Sequence, residues 1–506
     1  MDDFDVVIIG SGCGGLAAGL TLAQNNKKVG IFEQHSVEGG NIHSFRMHGR
    51  WFSPGLHYIG ELSPGSRMHR AYSDMGIMNR VGFNSLPQNG LDEIDAGGWR
   101  FVLPAGLEPR VQALAELAPS EESGIRKLLR HCKLLYDNYE DIGYASRSRL
   151  SMAAHPLKFL PLLRDGSRTW SQIVSRYIGD QKVIQALAAQ CIDSGLPANM
   201  VSGVAQAVVT SHFLDGAWYP VGGARSLVAA FVERIEDNDG IINKGKRVEE
   251  ILIEERPTRA VGIRLENGKT ISAKNVVCNA DPRVLATKLL PYRWRTNPDF
   301  RKMATAPLSS GVVSFFIILD CDPREYGLSS GNRIWYAESD IASCLERSRN
   351  AATIQDRYFR QLFISSDSLK DPGNGPHAIS IFTLLPWSAV AKFAGGRPNV
   401  RQPEYRDFKK SLIDQLRRSL DVAVPGICKH IQHVNCGTPL TSAYYCAASE
   451  GNLYGLEKTV SGTGYGACRI RSSIRNLWCC GASTAGHGVS GSTLSGISAA
   501  NLLLES

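Results

Sequence analysis

The sequence predicts an α/β fold: a Rossmann-type nucleotide-binding domain with a substrate domain, a mixed sheet plus a helical cap, interleaved in it. Three observations carry this reading. A complete βαβ unit with a glycine-rich turn opens the chain. A second strand, glycine loop and helix stand at its C-terminal end. Between them, helical periodicity and short apolar runs alternate.

Val6, Val7, Ile8 and Ile9 form an apolar, β-branched run, as expected of a strand buried on both faces. Gly10-Ser11-Gly12-Cys13-Gly14-Gly15 follows at once and fits G-x-G-x-x-G. Ala17 to Gln24 is small and apolar, a helix able to pack tightly on a sheet. Val29 to Phe32 is a second strand, and it ends at Glu33, eighteen residues after Gly15. In such a unit Gly10 permits the tight turn, Gly12 lets backbone approach a pyrophosphate, and Gly15 lets helix meet strand. Phosphates belong at the helix N-terminus, where free N–H groups and the dipole favour anions. Glu33 is placed to accept from a ribose hydroxyl. Gly39-Gly40, with Asn41 to Phe45 after it, resembles the flavoprotein extension of this fingerprint. There the nucleotide is FAD, and a nicotinamide is optional.

Trp51 to Gly60 mixes aromatics and glycines just after the second glycine pair. Its His57 is the titratable residue of most interest, since histidine carries protons near neutral pH. The plainer reading is a histidine that only hydrogen-bonds backbone beside the cofactor. Asp92 to Leu107 alternates apolar residues and reads as strands of a second sheet. From Pro109 to Asp215 apolar residues recur at helical spacing, among them Val111, Leu114 and Leu117. Within that region Leu150 to Leu163 is apolar, too short to span a bilayer, and bordered by Arg147, Arg149, Arg164, Arg168 and Arg176. Such a segment suits a membrane interface, although Pro156 and Pro161 break a simple amphipathic helix.

Trp218 to Leu227 opens a helix running to about Asp237. Ile241-Ile242, Arg247 to Ile253, Ala260 to Leu265 and Thr270-Ile271 read as short strands, with a turn at Asn267-Gly268. Asn275 to Ala280 is a further buried strand. Gly311 to Asp320 and His377 to Leu385 read as long strands of the substrate sheet. Near the C-terminus, Asn476 to Gly481 is a strand, Ala482 to Gly491 a loop of small residues, and Ser492 to Leu504 a helix. The nucleotide domain is thus expected in three parts, 1–90, 216–290 and 441–506. The cap occupies 91–215, and the rest of the substrate domain 291–440.

A chain of 506 residues exceeds one ordinary domain. With 43% hydrophobic and 21% charged residues it can form a large core, which argues against global disorder. The formal charge of +8 is modest, and no Lys/Arg run exceeds two or three residues, so nucleic acid is not an expected partner. None of the twelve cysteines forms a C-x-x-C pair, which leaves no zinc or iron–sulfur motif and no expected metal. The chain enters its first strand directly, without a secretory signal. Reduced, buried thiols and a cytoplasmic setting, peripheral on a membrane if Leu150 to Leu163 docks, are the expectation.

Taken together, the blocks resemble the phytoene desaturase, carotenoid isomerase and retinol saturase family of FAD enzymes, within the amine oxidase/phytoene desaturase superfamily. The matching pieces are GSGCGGL with Glu33 and Gly39-Gly40, the central YPVGGARSL, NADP at 279–282, and GASTAGHGVSGSTLSG. Gly55-Leu56-His57-Tyr58-Ile59-Gly60 is more similar to the retinol saturase branch. The resemblance implies that Gly10, Ser11, Gly12, Gly14 and Gly15 hold the FAD pyrophosphate and Glu33 the adenosine ribose. Gly39 and Gly40 then lie along the cofactor, and Val248 meets adenine through its backbone. Gly481, Ala482, Gly488 and Val489 meet the ribityl side and the isoalloxazine. Ala482 and Asn41 depart from the family, where an acid and, in related amine oxidases, an arginine stand.

The implied substrate is a long apolar polyene, and the implied reaction is saturation, desaturation or isomerisation of a C=C bond. The residues do not choose among the three. NAD(P)H is the candidate electron donor. Saturation needs a proton as well as a hydride. His57 is the first candidate to carry it, with Tyr58, Glu61 and His487 as competitors. Two other readings remain. An amine-oxidase-like enzyme would present an aromatic cage, to which Tyr444-Tyr445 could belong. A prenyl-lipid chaperone of the GDP-dissociation-inhibitor type would share the fold without using a flavin, and the intact glycines argue against it.

Overall fold

The computed structural model describes residues 3–144, 159–352, 356–396, 400–463, 468–484 and 486–506. The opening unit is β1 (Phe4–Ile9), α1 (Cys13–Gln24) and β2 (Val29–Phe32). Val6, Val7 and Ile8 have no exposure, because β1 is central in a parallel sheet with both faces covered. Across that sheet run Ile241–Asn243, β2, β1, Thr270–Cys278 and Leu477–Cys479, all parallel. Val248–Glu255 and Thr258–Leu265 extend it as an antiparallel pair.

One strand expectation is corrected. Thr270-Ile271 and Asn275 to Ala280 are not two strands but one, Thr270–Cys278. Its first half pairs antiparallel with Gly262 to Arg264. Its second half lies between β1 and Leu477–Cys479. The half-polar start and apolar end reflect this change from a half-exposed to a fully covered setting.

The second sheet is mixed. Its order is Ile431–Gly437, Val312–Leu319, Ala378–Leu384, Gln361–Ser365, Asn332–Tyr336, Asp92–Ala96 and Trp99–Leu103, with one parallel pairing, between Asn332–Tyr336 and Asp92–Ala96. Cap helices, among them Leu107–Leu117, Glu122–Tyr144 and Gly203–His212, cover one face through Leu114, Leu128, Phe363 and Phe382. Helix Pro403–Ala423 covers the other through Leu412, Leu416 and Phe315. The strands of the two sheets alternate along the chain, so the α/β fold is interleaved as its class requires.

The last helix begins at Gly488, not Ser492, and runs to Leu504. Gly488, Ser490 and Gly491 have poor helix propensity, but the helix they begin packs on α1 along its length. The contact is close: a Cβ on Gly496 would lie 2.1 Å from the Gly14 carbonyl oxygen.

Of the apolar segment Leu150 to Leu163, residues 150–158 lie outside the described residues. Phe159 is buried, whereas Leu160 and Leu163 on helix Leu160–Asp165 are 55% and 67% exposed. Buried Asp165 gathers the basic side chains near it: Arg176 at 2.6 Å, His131 at 2.7 Å and Arg168 at 3.0 Å. Burial raises its pKa, but His131 and the arginines outweigh that and hold it below the usual range. All twelve cysteines are free. Among the described residues no helix is long and apolar enough to cross a membrane.

Candidate active site

The two glycine motifs of the N-terminal part meet. Gly12 and Gly39 form a parallel bridge, and the Gly39 N–H donates to the Ser11 carbonyl at 3.1 Å. Gly10, at φ +91°, makes the turn out of β1. Gly15 stands against it so tightly that a Cβ would lie 2.0 Å from the Gly10 carbonyl oxygen. Helix α1 begins just past Gly12 with no side-chain cap and no acid in its first turn, so its N–H groups are left for an anion. Glu33 Oε2 accepts from the Ser11 N–H (2.9 Å) and Oγ (2.7 Å), and Oε1 from the His35 N–H (2.8 Å). Oε1 therefore retains an accepting position.

Gly10, Gly12, Gly14, Glu33, Gly39, Gly40, Val248, Gly481, Ala482, Gly488 and Val489 line one cleft of about 560 Å³. Ser11 and Gly15 do not line it. Ser11 ties Glu33 to the second glycine pair, and Gly15 lets α1 approach β1. Asn279, quoted in the resemblance but given no role there, stands at the centre. A Cβ on Gly12, Gly14 or Gly481 would come within 2.6 to 2.9 Å of its side-chain amide. Its neighbour Asp281 accepts from the Ser449 N–H (3.1 Å) and Asn452 Nδ2 (2.7 Å), which ties the C-terminal part to the sheet. The glycines thus keep open a bent backbone-lined channel, as a dinucleotide requires.

Tyr445 lines this cleft, packed on His35 and His43, and Tyr444 is half exposed. Neither lines the inner cavity described next, so they form no cage there.

An inner cavity of about 170 Å³ meets the cleft at Gly55, Tyr454, Gly488 and Val489. Its wall is aromatic and aliphatic: Phe213, Phe363, Phe382, Val208, Val209 and Leu494. His57, Tyr58 and His487 all reach it. His57 is stacked near Phe363 and Phe382, and its Nδ1 is buried without a hydrogen-bond partner. Burial, aided by the Lys370 ammonium, pulls its pKa down to about 3, so the ring is neutral at pH 7. Lys370 Nζ donates to the His57 carbonyl at 2.8 Å and so fixes that backbone. His487 is likewise pulled down to about 4 by burial and by Lys458. Its Nε2 lies 2.9 Å from the Asp193 carbonyl and, in the neutral ring, donates to it. Tyr58 stacks on Phe213, with centroids 4.2 Å apart, and its hydroxyl donates to Asp193 Oδ2 at 2.9 Å.

Three cavity residues escaped the sequence reading. Asp193 is pushed up to about 8 by burial and by the nearby Asp92. Lys458 donates to the Ala482 carbonyl at 2.7 Å, and burial lowers its pKa to about 8. His212 reaches Glu61 at 3.4 Å, and the Tyr136 hydroxyl also donates to Glu61. Nothing local marks them: each arrives from a distant stretch of chain.

A glycine-lined cleft that meets a largely aromatic and aliphatic cavity is the arrangement of a flavin-dependent oxidoreductase. A family model described as flavin containing amine oxidoreductase matches residues 13–385, and the chain belongs to that family. It is 26% identical to the all-trans-retinol 13,14-reductase of Danio rerio, an alignment covering 100% of this chain and 86% of that one. It is 26% identical to the human protein of the same name, over 95% and 82%. Prolycopene isomerase 1, chloroplastic, of an Oncidium hybrid cultivar is 24% identical over 99% and 84%. Among solved structures, a putrescine oxidase variant superposes with a TM-score of 0.66 at 15% identity, over 99% of both chains. Cyclohexylamine oxidase from Brevibacterium oxydans does so with 0.63 at 14%, over 100% and 99%. These two share the fold.

Proposed function

We propose that this FAD-dependent oxidoreductase acts on a C=C bond of a long apolar polyene, retinoid- or carotenoid-like, by saturation, desaturation or isomerisation. The single observation that carries the reading is the inner cavity, mostly apolar along its walls and joined to the cleft at Gly488 and Val489. A polyene offers no acidic or carbonyl handle, so the wall's task is to hold one double bond in place. The relatives that act on retinol and prolycopene point the same way. An amine substrate is disfavoured, since Tyr444 and Tyr445, the residues that could form an aromatic cage, do not line the inner cavity.

FAD in the cleft would supply hydride or single-electron exchange. The first-turn N–H groups of α1, with Gly10, Gly12 and Gly14, would hold its pyrophosphate. Glu33 Oε1 would accept from the adenosine ribose, and the Val248 backbone would meet adenine. Gly481, Ala482, Gly488 and Val489 would border the ribityl chain and ring. In place of the family's acid, the Ala482 carbonyl is held by Lys458. Neutral His57 and His487 shape the cavity, and His487 positions Asp193. NAD(P)H is the proposed donor of electrons.

The test is incubation of the flavin-loaded protein with candidate polyenes and NADPH, followed by mass and retention analysis. A mass gain, a mass loss, or a retention shift alone identifies saturation, desaturation or isomerisation. Unaltered polyenes alongside oxidised amines overturn the reading.

Access from a membrane is proposed through the exposed Leu160 and Leu163. The wild type is expected to sediment with anionic vesicles, and Leu160→Glu with Leu163→Glu to stay in the supernatant. Equal sedimentation of the two contradicts it.

A further inference from the structure

We infer that Asp193, hydrogen-bonded to Tyr58, is the group that exchanges a proton with the polyene carbon in the inner cavity. This rests on the polyene reading above. A bound polyene displaces water from an apolar cavity, so the proton must come from the wall. Few wall groups can hold it. His57 and His487 are neutral imidazoles at pH 7. Glu61 lies in the Tyr136–His212 cluster; burial raises its pKa, but its hydrogen bonds to His212 and Tyr136 hold it below the usual range. His212 has both ring nitrogens engaged, Nε2 accepting from the Gly60 N–H at 3.0 Å and Nδ1 facing Glu61 at 3.4 Å. Lys458 directs its amine to the Ala482 carbonyl.

Asp193 differs from all of these in placement. It is the next-to-last residue of the short helix Ala189–Ser194 and lines the cavity. Among the described residues no cation pairs with its carboxyl group. Tyr58 donates to Oδ2, and His487 anchors its carbonyl beside the loop that enters the C-terminal helix. The groups that face it are Tyr58, Tyr454, Tyr336, Asp92, Cys191 and His487. None is a cation, and burial with the nearby Asp92 lets the carboxyl group keep its proton to about pH 8.

The balance closes in each direction. In saturation one alkene carbon would receive the hydride equivalent that reduced FAD, held in the cleft, would supply. Its neighbour receives the Asp193 proton: the O–H bond breaks, a C–H bond forms, and a carboxylate remains, to be reprotonated from solvent. In desaturation the carboxylate takes that proton back. In isomerisation one proton goes on and comes off around a bond rotation, with no net redox change.

The test uses the full flavin-loaded chain. Asp193→Asn is expected to keep its flavin spectrum and polyene binding but to turn over about 10² to 10⁴ times more slowly. The wild-type saturation rate is expected to fall above about pH 8, as the carboxyl group loses its proton. Tyr58→Phe should move that limb to higher pH, because the lost hydrogen bond had favoured the carboxylate. Infrared spectra without substrate give a readout independent of turnover. A protonated-carboxyl band at pH 7 should fade above about pH 8 and be missing in Asp193→Asn. If Asp193→Asn does not fold, the wild-type band and the Tyr58→Phe limb decide. A wild type that converts polyenes while Asp193→Asn keeps pace, or a wild type without the band, overturns this inference alone. A wild type that converts no polyene overturns it together with the function it rests on.

Discussion

Gly12→Val is expected to purify folded but without flavin. Gly12 is the residue before the first turn of α1, at φ −66° and ψ 171°, and its backbone lines the cleft. The conformation suits any residue, so strain is not the reason. A Cβ there would sit 2.9 Å from Asn279 Nδ2, the movable end of a side chain, and the fold can adjust. The valine methyls, however, occupy the place where a pyrophosphate must reach the N–H groups of α1. Gly15→Val makes the contrast, since its Cβ would meet backbone at 2.0 Å and break the β1–α1 packing itself. The ratio of flavin to protein absorbance, with circular dichroism as the control for folding, measures the effect. Gly12→Val with full flavin occupancy contradicts the cradle.

Gly496→Leu is expected to cost about 3 kcal/mol or more, at the upper end of what overpacking does. The added Cβ would lie 2.1 Å from the Gly14 carbonyl oxygen and 3.0 Å from the Ala18 nitrogen. Both obstacles are backbone of α1, so no rotamer change relieves them, and the two helices must part. Their N-termini also line the cofactor cleft, at Cys13 and Gly14 and at Gly488 and Val489. Flavin affinity should therefore fall together with the urea midpoint. A variant as stable as the wild type contradicts the packing described.

The cofactor half of the molecule was legible in the sequence because its determinants are local. The apolar strand, the glycines and Glu33 lie within a single βαβ unit, and each residue type answers one steric or hydrogen-bonding need. The C-terminal loop was legible for the same reason, although its helix start was not. Gly488 to Gly491 belong to a helix that packs along α1 further on, at Gly496, and their own residue types do not mark the start. The continuous strand Thr270–Cys278 was missed because its two halves answer to different neighbours.

The substrate half was far less legible. His57, Tyr58 and His487 do meet at one cavity, but their ionisation depends on burial that no local pattern reveals. His57 looked like a proton carrier, whereas Lys370, more than three hundred residues on, helps to keep it neutral. Asp193 sits in an unremarked stretch of the cap and gains its character only from Tyr58 and Asp92. Tyr444-Tyr445 could be read as part of an aromatic cage but reads better as core or tunnel lining, and the chain delivers Tyr445 to the nucleotide cleft instead. Groups whose chemistry is set by long-range contacts are the ones that periodicity and motif spacing do not reach.

The central claim, flavin chemistry on a polyene, is tested most directly by one anaerobic experiment. The bound flavin is reduced in the absence of oxygen and a polyene is added while the flavin absorbance is followed. The account predicts either oxidised-flavin absorbance rising in step with a product heavier by two hydrogens, or a steady spectrum with a product of equal mass and new retention. For a desaturase, the oxidised protein with the same polyene should show the reverse change. A flavin and a polyene that both stay unaltered in either redox state, in a protein whose oxidised flavin is reduced by an amine, would contradict it.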